Sequence, residues 1–223
     1  MSHLVERVPI LNLGKRYQTC CGKVICSGCI HAGANQLCPF CRTPATTSND
    51  EMIERMKKLM EVDDAQAIHE IGRFHSEGRY GLQHDMDRAL ELWYRAGKLG
   101  NPVSYYNIGN AYLYGMGVGR DMKKATHYHE LAAIRGYVRS RHSLGIFEGN
   151  ARNINKALNH FMIAAGDGSN ESLKTILRMY RDGYATKDDY AKALNAYQAY
   201  LVEIKSDDRD KAAAFDDEYK YYE

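Results

Sequence analysis

The 223-residue chain has no cysteine after Cys41, a single tryptophan, four prolines, and no apolar run close to the roughly 18 residues a membrane-crossing helix needs. These absences exclude a disulfide-stapled scaffold over most of the length, and a bundle of spanning helices. The opening Met1-Ser2-His3-Leu4-Val5-Glu6 lacks the basic flank and apolar core of a secretory signal, so a soluble chain of the cytoplasm or nucleus is expected. In that reducing setting six cysteines packed between Cys20 and Cys41 point to metal binding rather than disulfides. Charge of one sign is also missing: the net value of +2 conceals five basic residues against one acid in residues 1–46 and four against eight in residues 201–223. So balanced a total argues against a dedicated nucleic-acid protein.

What the chain has is an internal repeat. When Ile71-Gly72, Ile108-Gly109, Leu144-Gly145 and Ile176-Leu177 are aligned, an alanine follows in register at Ala89, Ala125, Ala157 and Ala193. Four residues before each alanine stands Asp85, Asp121, Asn153 or Asp189, all favoured helix N-caps. After the alanines come Ala96-Gly97, Ala132-Ala133 and Ala164-Ala165, then the stop glycines Gly100, Gly136 and Gly168. Each copy therefore reads as a helix, a loop and a second helix. Phe74, Tyr112, Phe147 and Tyr180 on the first helices, with Trp93, Phe161 and Tyr197 on the second, read as core, and Tyr128 stands one place early in the second copy. Tyr105, Tyr106 and Tyr114 are candidates for a groove.

The run Ile108-Gly109-x-x-Tyr112-x-x-Gly115-x-Gly117-Val118-x-x-Asp121-x-x-Lys124-Ala125, followed by Tyr128, Ala132-Ala133 and Gly136, resembles the Sel-one-like repeat, a relative of the tetratricopeptide repeat. The resemblance implies a mainly α, αα-repeat solenoid of four helix-turn-helix repeats that serves as an adaptor for other proteins. The expected organisation is a small N-terminal zinc-binding module over 1–46 and a connecting and capping helix over 47–63. Repeats follow at 64–101, 102–137, 138–169 and 170–204, and a C-terminal helix with an acidic aromatic tail occupies 205–223. Ser48 opens the connecting helix, whose Met52, Ile53, Met56, Leu59 and Met60 recur at helical spacing.

Cys26-Ser27-Gly28-Cys29 and Cys38-Pro39-Phe40-Cys41 are two Cys-x-x-Cys knuckles, each placing two thiolates on one turn. Four such ligands suit a tetrahedral zinc at about 2.3 Å. One pairing uses Cys26, Cys29, Cys38 and Cys41 around one ion. The stretch from Cys21 through Cys38-Pro39-Phe40-Cys41-Arg42 is also similar to the second half of a RING finger. That resemblance implies a different pairing: Cys26 and Cys29 in one site, Cys21, Cys38 and Cys41 in another. Lys23 stands where the family has a histidine, leaving Cys20 to complete the second set, and the family's first pair is missing, with only His3 near its place. One zinc ion is expected rather than two. The resemblance further implies docking of a ubiquitin-conjugating enzyme through Ile25 and Pro39, with Arg42 against ubiquitin.

No catalytic residue is assigned, and the chain reads as a scaffold rather than an enzyme, with a RING-type ubiquitin ligase as the alternative. Gly115-Met116-Gly117-Val118-Gly119-Arg120 lies between two helices, so it is a repeat turn rather than a phosphate cradle. Lys123, Lys124, Arg135, Arg139 and Arg141 form a basic patch suited to an anionic partner.

Overall fold

A computed structural model describes residues 10–11, 15–26, 29, 37–205, 207, 210–211 and 214. The expected ligand His3 and the acidic tail at 216–223 lie outside the described residues. The chain separates into two compact units, with the boundary between Asn101 and Pro102.

The first unit begins with a small antiparallel sheet, β1 (Ile10–Leu11), β2 (Lys15–Gln18) and β3 (Lys23–Cys26), in the order β1-β2-β3. Helix α1 (Asn49–Glu61) starts at Ser48, whose hydroxyl accepts from the Glu51 amide. The first repeat follows as α2 (Ala65–Glu77) and α3 (Met86–Lys98). Met52, Ile53 and Met56 of α1 are buried in one cluster with Ile68, Ile71, Phe74, Leu92 and Ala96. The connecting helix therefore covers the apolar face that a preceding repeat would otherwise cover.

The second unit holds three more helix pairs. They are α4 (Pro102–Tyr114) with α5 (Met122–Ile134), α6 (Val138–Asn150) with α7 (Ile154–Gly166), and α8 (Asn170–Arg181) with α9 (Lys187–Ile204). Asp85 and Asp121 cap their helices, accepting from the amides of Arg88 and Lys124. Copies three and four depart from expectation. Asn153 makes no capping bond and its amide instead donates to Glu148 at 2.7 Å. In α9 the cap is Thr186, and Asp189 lies three residues inside as the reciprocal partner of a capping box. A hydroxyl at that earlier position starts the helix sooner, which lengthens α9.

In the first three copies the glycine of the first helix lies against a ring of the second. A Cβ at Gly72 would lie 2.9 Å from the Trp93 ring, one at Gly109 2.8 Å from His129, and one at Gly145 2.6 Å from Phe161. This alignment corrects the assignment of Tyr128: the residue equivalent to Trp93 and Phe161 is His129, fully buried between Tyr106 and Phe147. Tyr180, expected in the core, is 39% exposed. The sequence pattern also passed over a recurring small residue on the third position of the first helices, Ala67, Ser104, Ser140 and Ser172, each fully buried. Ser140 Oγ lies 3.4 Å from His129 Nδ1, and Ser172 Oγ lies 2.8 Å from His142 Nδ1, so these hydroxyls meet polar rings where repeats stack.

Burial holds the His129 pKa down at about 4. The unfolded chain, titrating near 6.5, binds the proton more readily, so the stability contributed by neutral His129 is whole above that pH and lost as pH falls toward about 4. The full loss amounts to about 3 kcal/mol. His129→Phe, which installs the ring used by copy three, should lose less stability than the parent between pH 7 and the acid end of that window. Urea midpoints across the range test this, and equal losses in both proteins would refute it.

Candidate metal centre

The turn from β2 to β3 carries Cys20 and Cys21. The amides of Cys21 and Gly22 both donate to the Gln18 carbonyl, at 3.3 and 2.9 Å, and Gly22 takes a left-handed φ of 67°. A second tight loop carries Cys38 and Cys41. Cys38 N donates to Thr43 O at 2.8 Å, Arg42 N donates to Cys38 O at 2.9 Å, and Leu37 bridges to Pro44. The loop is fixed to α1 by Arg55, which donates to the Pro44 carbonyl at 2.8 Å while pairing with Glu51.

These two loops bring the sulfurs of Cys20, Cys21, Cys38 and Cys41 within 4.8 Å of one another. Cys21 Sγ lies 3.7 Å from Cys38 Sγ, and Cys41 Sγ 3.3 Å from Cys20 Sγ. Four sulfurs around a tetrahedral ion with bonds of about 2.3 Å stand about 3.8 Å apart, so the set fits a thiophilic metal with little rearrangement. Four thiolates would close the coordination shell and leave no position for a reactive water. Cys29 is exposed and outside this group, and the Cys26 side chain lies outside the described residues.

The thiols differ from one another. Hydrogen bonding from the Thr43 hydroxyl, then from its amide, lowers Cys41 to about 6. Burial raises Cys20, reinforced by hydrogen bonds with Cys41 and Cys38, and burial also raises Cys21. Cys41 is exposed and Cys38 buried, so one edge of the cluster is open for an ion to enter. Of the other expected contacts, Ile25 is buried, whereas Pro39 and Arg42 are exposed on the loop.

The cysteine turn is joined to the first repeat. Tyr17, 1% exposed, donates its hydroxyl to Asp64 Oδ1 at 2.7 Å, and burial followed by that bond raises its pKa. The same Asp64 oxygen accepts from Ala67 N at 2.8 Å, capping α2. Gly22 approaches the Asp64 carboxylate so closely that a Cβ there would strike it. The sequence offered no signal for this contact, because Tyr17 and Asp64 stand far apart along the chain.

The Sel1 repeat family model matches residues 65–101 and 102–137, the first two copies. Chitin synthase regulatory factor 3 from Schizosaccharomyces pombe is 37% identical over 68 residues, covering 30% of this chain. The chain spans only 7% of that relative's length. Among solved structures, a Sel1 repeat protein from Oxalobacter formigenes is similar, with TM-score 0.62 and 24% identity over 79% of this chain and 70% of that one. The protective antigen c5321 of uropathogenic Escherichia coli, with an SLR fold, matches at TM-score 0.59 and 22% identity over 73% of this chain and 36% of that one. The chain thus carries Sel1 repeats and has a Sel1-type helical repeat fold. Among the described residues no helix is long and apolar enough to cross a membrane.

The arrangement predicts that, after incubation with zinc, a Cys26→Ser, Cys29→Ser double variant carries the ion and Cys38→Ser does not, as read by metal content after gel filtration. Loss from the double variant with retention by Cys38→Ser would reject this ligand set. Removal of the Tyr17 hydroxyl deletes a hydrogen bond to a charged group, so Tyr17→Phe should destabilise the first unit by about 1.5–3 kcal/mol. Hydrogen exchange at the start of α2 would report it, and unchanged protection there would contradict it.

Proposed function

We propose that this Sel1-repeat chain is a protein-interaction scaffold whose N-terminal module holds one structural zinc ion on Cys20, Cys21, Cys38 and Cys41. The match of two Sel1 repeats at 65–101 and 102–137 carries the first half of this reading, since stacked helix pairs present rigid, variable outer faces. Large apolar side chains stand on the outer surface of the second unit, among them Tyr114 at 70% and Ile134 at 76% exposure. The all-sulfur donor set carries the second half: zinc supplies a crosslink between two loops whose four cysteines form no disulfide. The fission yeast relative is named as a regulatory factor for chitin synthase, and regulation of another protein is a role a scaffold can serve.

A RING-type ubiquitin ligase is the second reading, favoured by one observation: Pro39 and Arg42 are exposed on the cysteine loop, available to a conjugating enzyme. The burial of Ile25 speaks against it. The scaffold reading expects no ubiquitin chains from the zinc-loaded protein with a panel of conjugating enzymes, and product that disappears in Arg42→Ala would replace it with the ligase reading. The direct test is selection from a random peptide display library on the immobilised zinc-loaded chain. Peptides that enrich reproducibly and bind the free protein are expected, and failure of any sequence to enrich would overturn the scaffold role.

A further inference from the structure

Helices α4 and α5 enclose a row of stacked rings with a cation at each end. Tyr112 and Tyr128 stack at 5.8 Å with planes 7° apart, and Tyr128 continues onto Tyr105 at 6.1 Å and 23°. Lys124 Nζ stands 5.0 Å over the Tyr112 ring, and Arg135 Cζ stands 4.9 Å over the Tyr105 ring. Lys124, Tyr128 and Arg135 share one face of α5, because eleven residues make close to three full turns. Both cations are exposed.

Their pairing sets them apart from the arginines of the first repeat. There Arg73 is bound by Glu70 and Glu77, Arg88 by Glu91, and Arg95 by Asp63. Neither Lys124 nor Arg135 meets a carboxylate among the described residues: Lys124 has the Tyr112 ring, and Arg135 has the Tyr105 ring and the Leu131 carbonyl. Residues 102–141 contain six Lys or Arg and only two acids, Asp121 and Glu130. Asp121 is engaged in capping α5, and Glu130 falls on the opposite side of the helix from the Lys124–Arg135 stripe. Exposed Arg120 and Lys123 add to the positive field at the Lys124 end.

We infer that this ladder, Lys124-Tyr112-Tyr128-Tyr105-Arg135, docks an extended acidic peptide segment of a partner protein. The inference rests on the scaffold reading and gives it a partner chemistry. A ring already holding a cation leaves the cation's outer side free for an anion, and two cations about 16 Å apart on one helix face are within side-chain reach of carboxylates four residues, about 14 Å, apart on one face of an extended chain. Single-stranded nucleic acid, the other anionic candidate, needs open ring faces for its bases. Here those faces are taken by neighbouring rings and by the cations, which favours carboxylates.

The test is fluorescence anisotropy of the zinc-loaded full chain with a labelled peptide of about eight residues carrying two glutamates four positions apart, on one face of the extended peptide. The glutamine version of that peptide and a uridine oligonucleotide of similar length are the comparisons. The glutamate peptide should bind most tightly and weaken with added salt. The Lys124→Ala, Arg135→Ala double variant should weaken it by about tenfold, while Lys124→Arg keeps most of the affinity. Equal binding of the glutamate and glutamine peptides, tighter binding of the oligonucleotide, or an unchanged double variant would each overturn the inference. Display-selected peptides without acidic residues would do the same while leaving the scaffold role intact, whereas an empty selection removes the scaffold role itself.

Discussion

In three of the four repeats the two helices come together at one point, where a glycine on the first helix lies beneath a ring on the second. Trp93 over Gly72, His129 over Gly109 and Phe161 over Gly145 are versions of one contact, and each would be blocked by a single added methyl group. Close approach at that point is what allows the small residues Ala96, Ala132 and Ala164 to be fully buried nearby. Gaps there would forfeit dispersion contacts along the whole pair. The fourth copy replaces the glycine by Leu177 and packs Tyr197 into a cluster with Ala157, Phe161, Leu173 and Ile176.

His129 shows how a polar group enters such a core. Its ring fills the volume that Trp93 and Phe161 fill elsewhere, and it packs edge-on against Tyr106 and Phe147. Its Nδ1 has the Ser140 hydroxyl at a long 3.4 Å, and Nε2, beside Gly109, has no partner among the described residues. Burying an unmatched polar atom costs free energy, so this site is held by the shape of its surroundings rather than by its hydrogen bonding. The same economy explains the small residue on the third position of the first helices, where Ser140 and Ser172 supply hydroxyls to His129 and His142.

Much of this was legible in the sequence, and the exceptions share a cause. The period, the Asp85 and Asp121 caps and the stop glycines are local, because each depends on a few neighbouring residues. His129 was hidden because a hydropathy pattern ranks Tyr128 above it, although the residue count from Trp93 places it correctly. Asp189 reads as a cap because it aligns with Asp85, yet Thr186 offers a competing hydroxyl three residues earlier. The cysteine pairing was open for a different reason: spacing alone suits several partitions of the same residues. Among the described residues, the hairpin tip brings Cys20 and Cys21 beside Cys38 and Cys41. Cys20 and Cys21 ride its tip, whereas β3 carries the Cys26 backbone about 10 Å away from that tip.

The hairpin tip also explains why the cysteine module and the first repeat belong to one compact unit. Asp64 accepts from the Tyr17 hydroxyl and from the first turn of α2 through the same carboxylate oxygen, and Gly22 leaves it room to do so. Any force that moves the turn bearing Cys20 and Cys21 therefore acts on the start of the first repeat helix. The second cysteine loop reaches the same unit through Arg55 on α1, whose apolar face is buried against α2 and α3. An ion joining the two loops closes a ring that runs from the hairpin through Asp64, α2 and α1 back to Pro44. Metal binding on these four sulfurs would consequently contribute to the fold of the first repeat, since the geometry it would fix is the geometry the Asp64 cap requires.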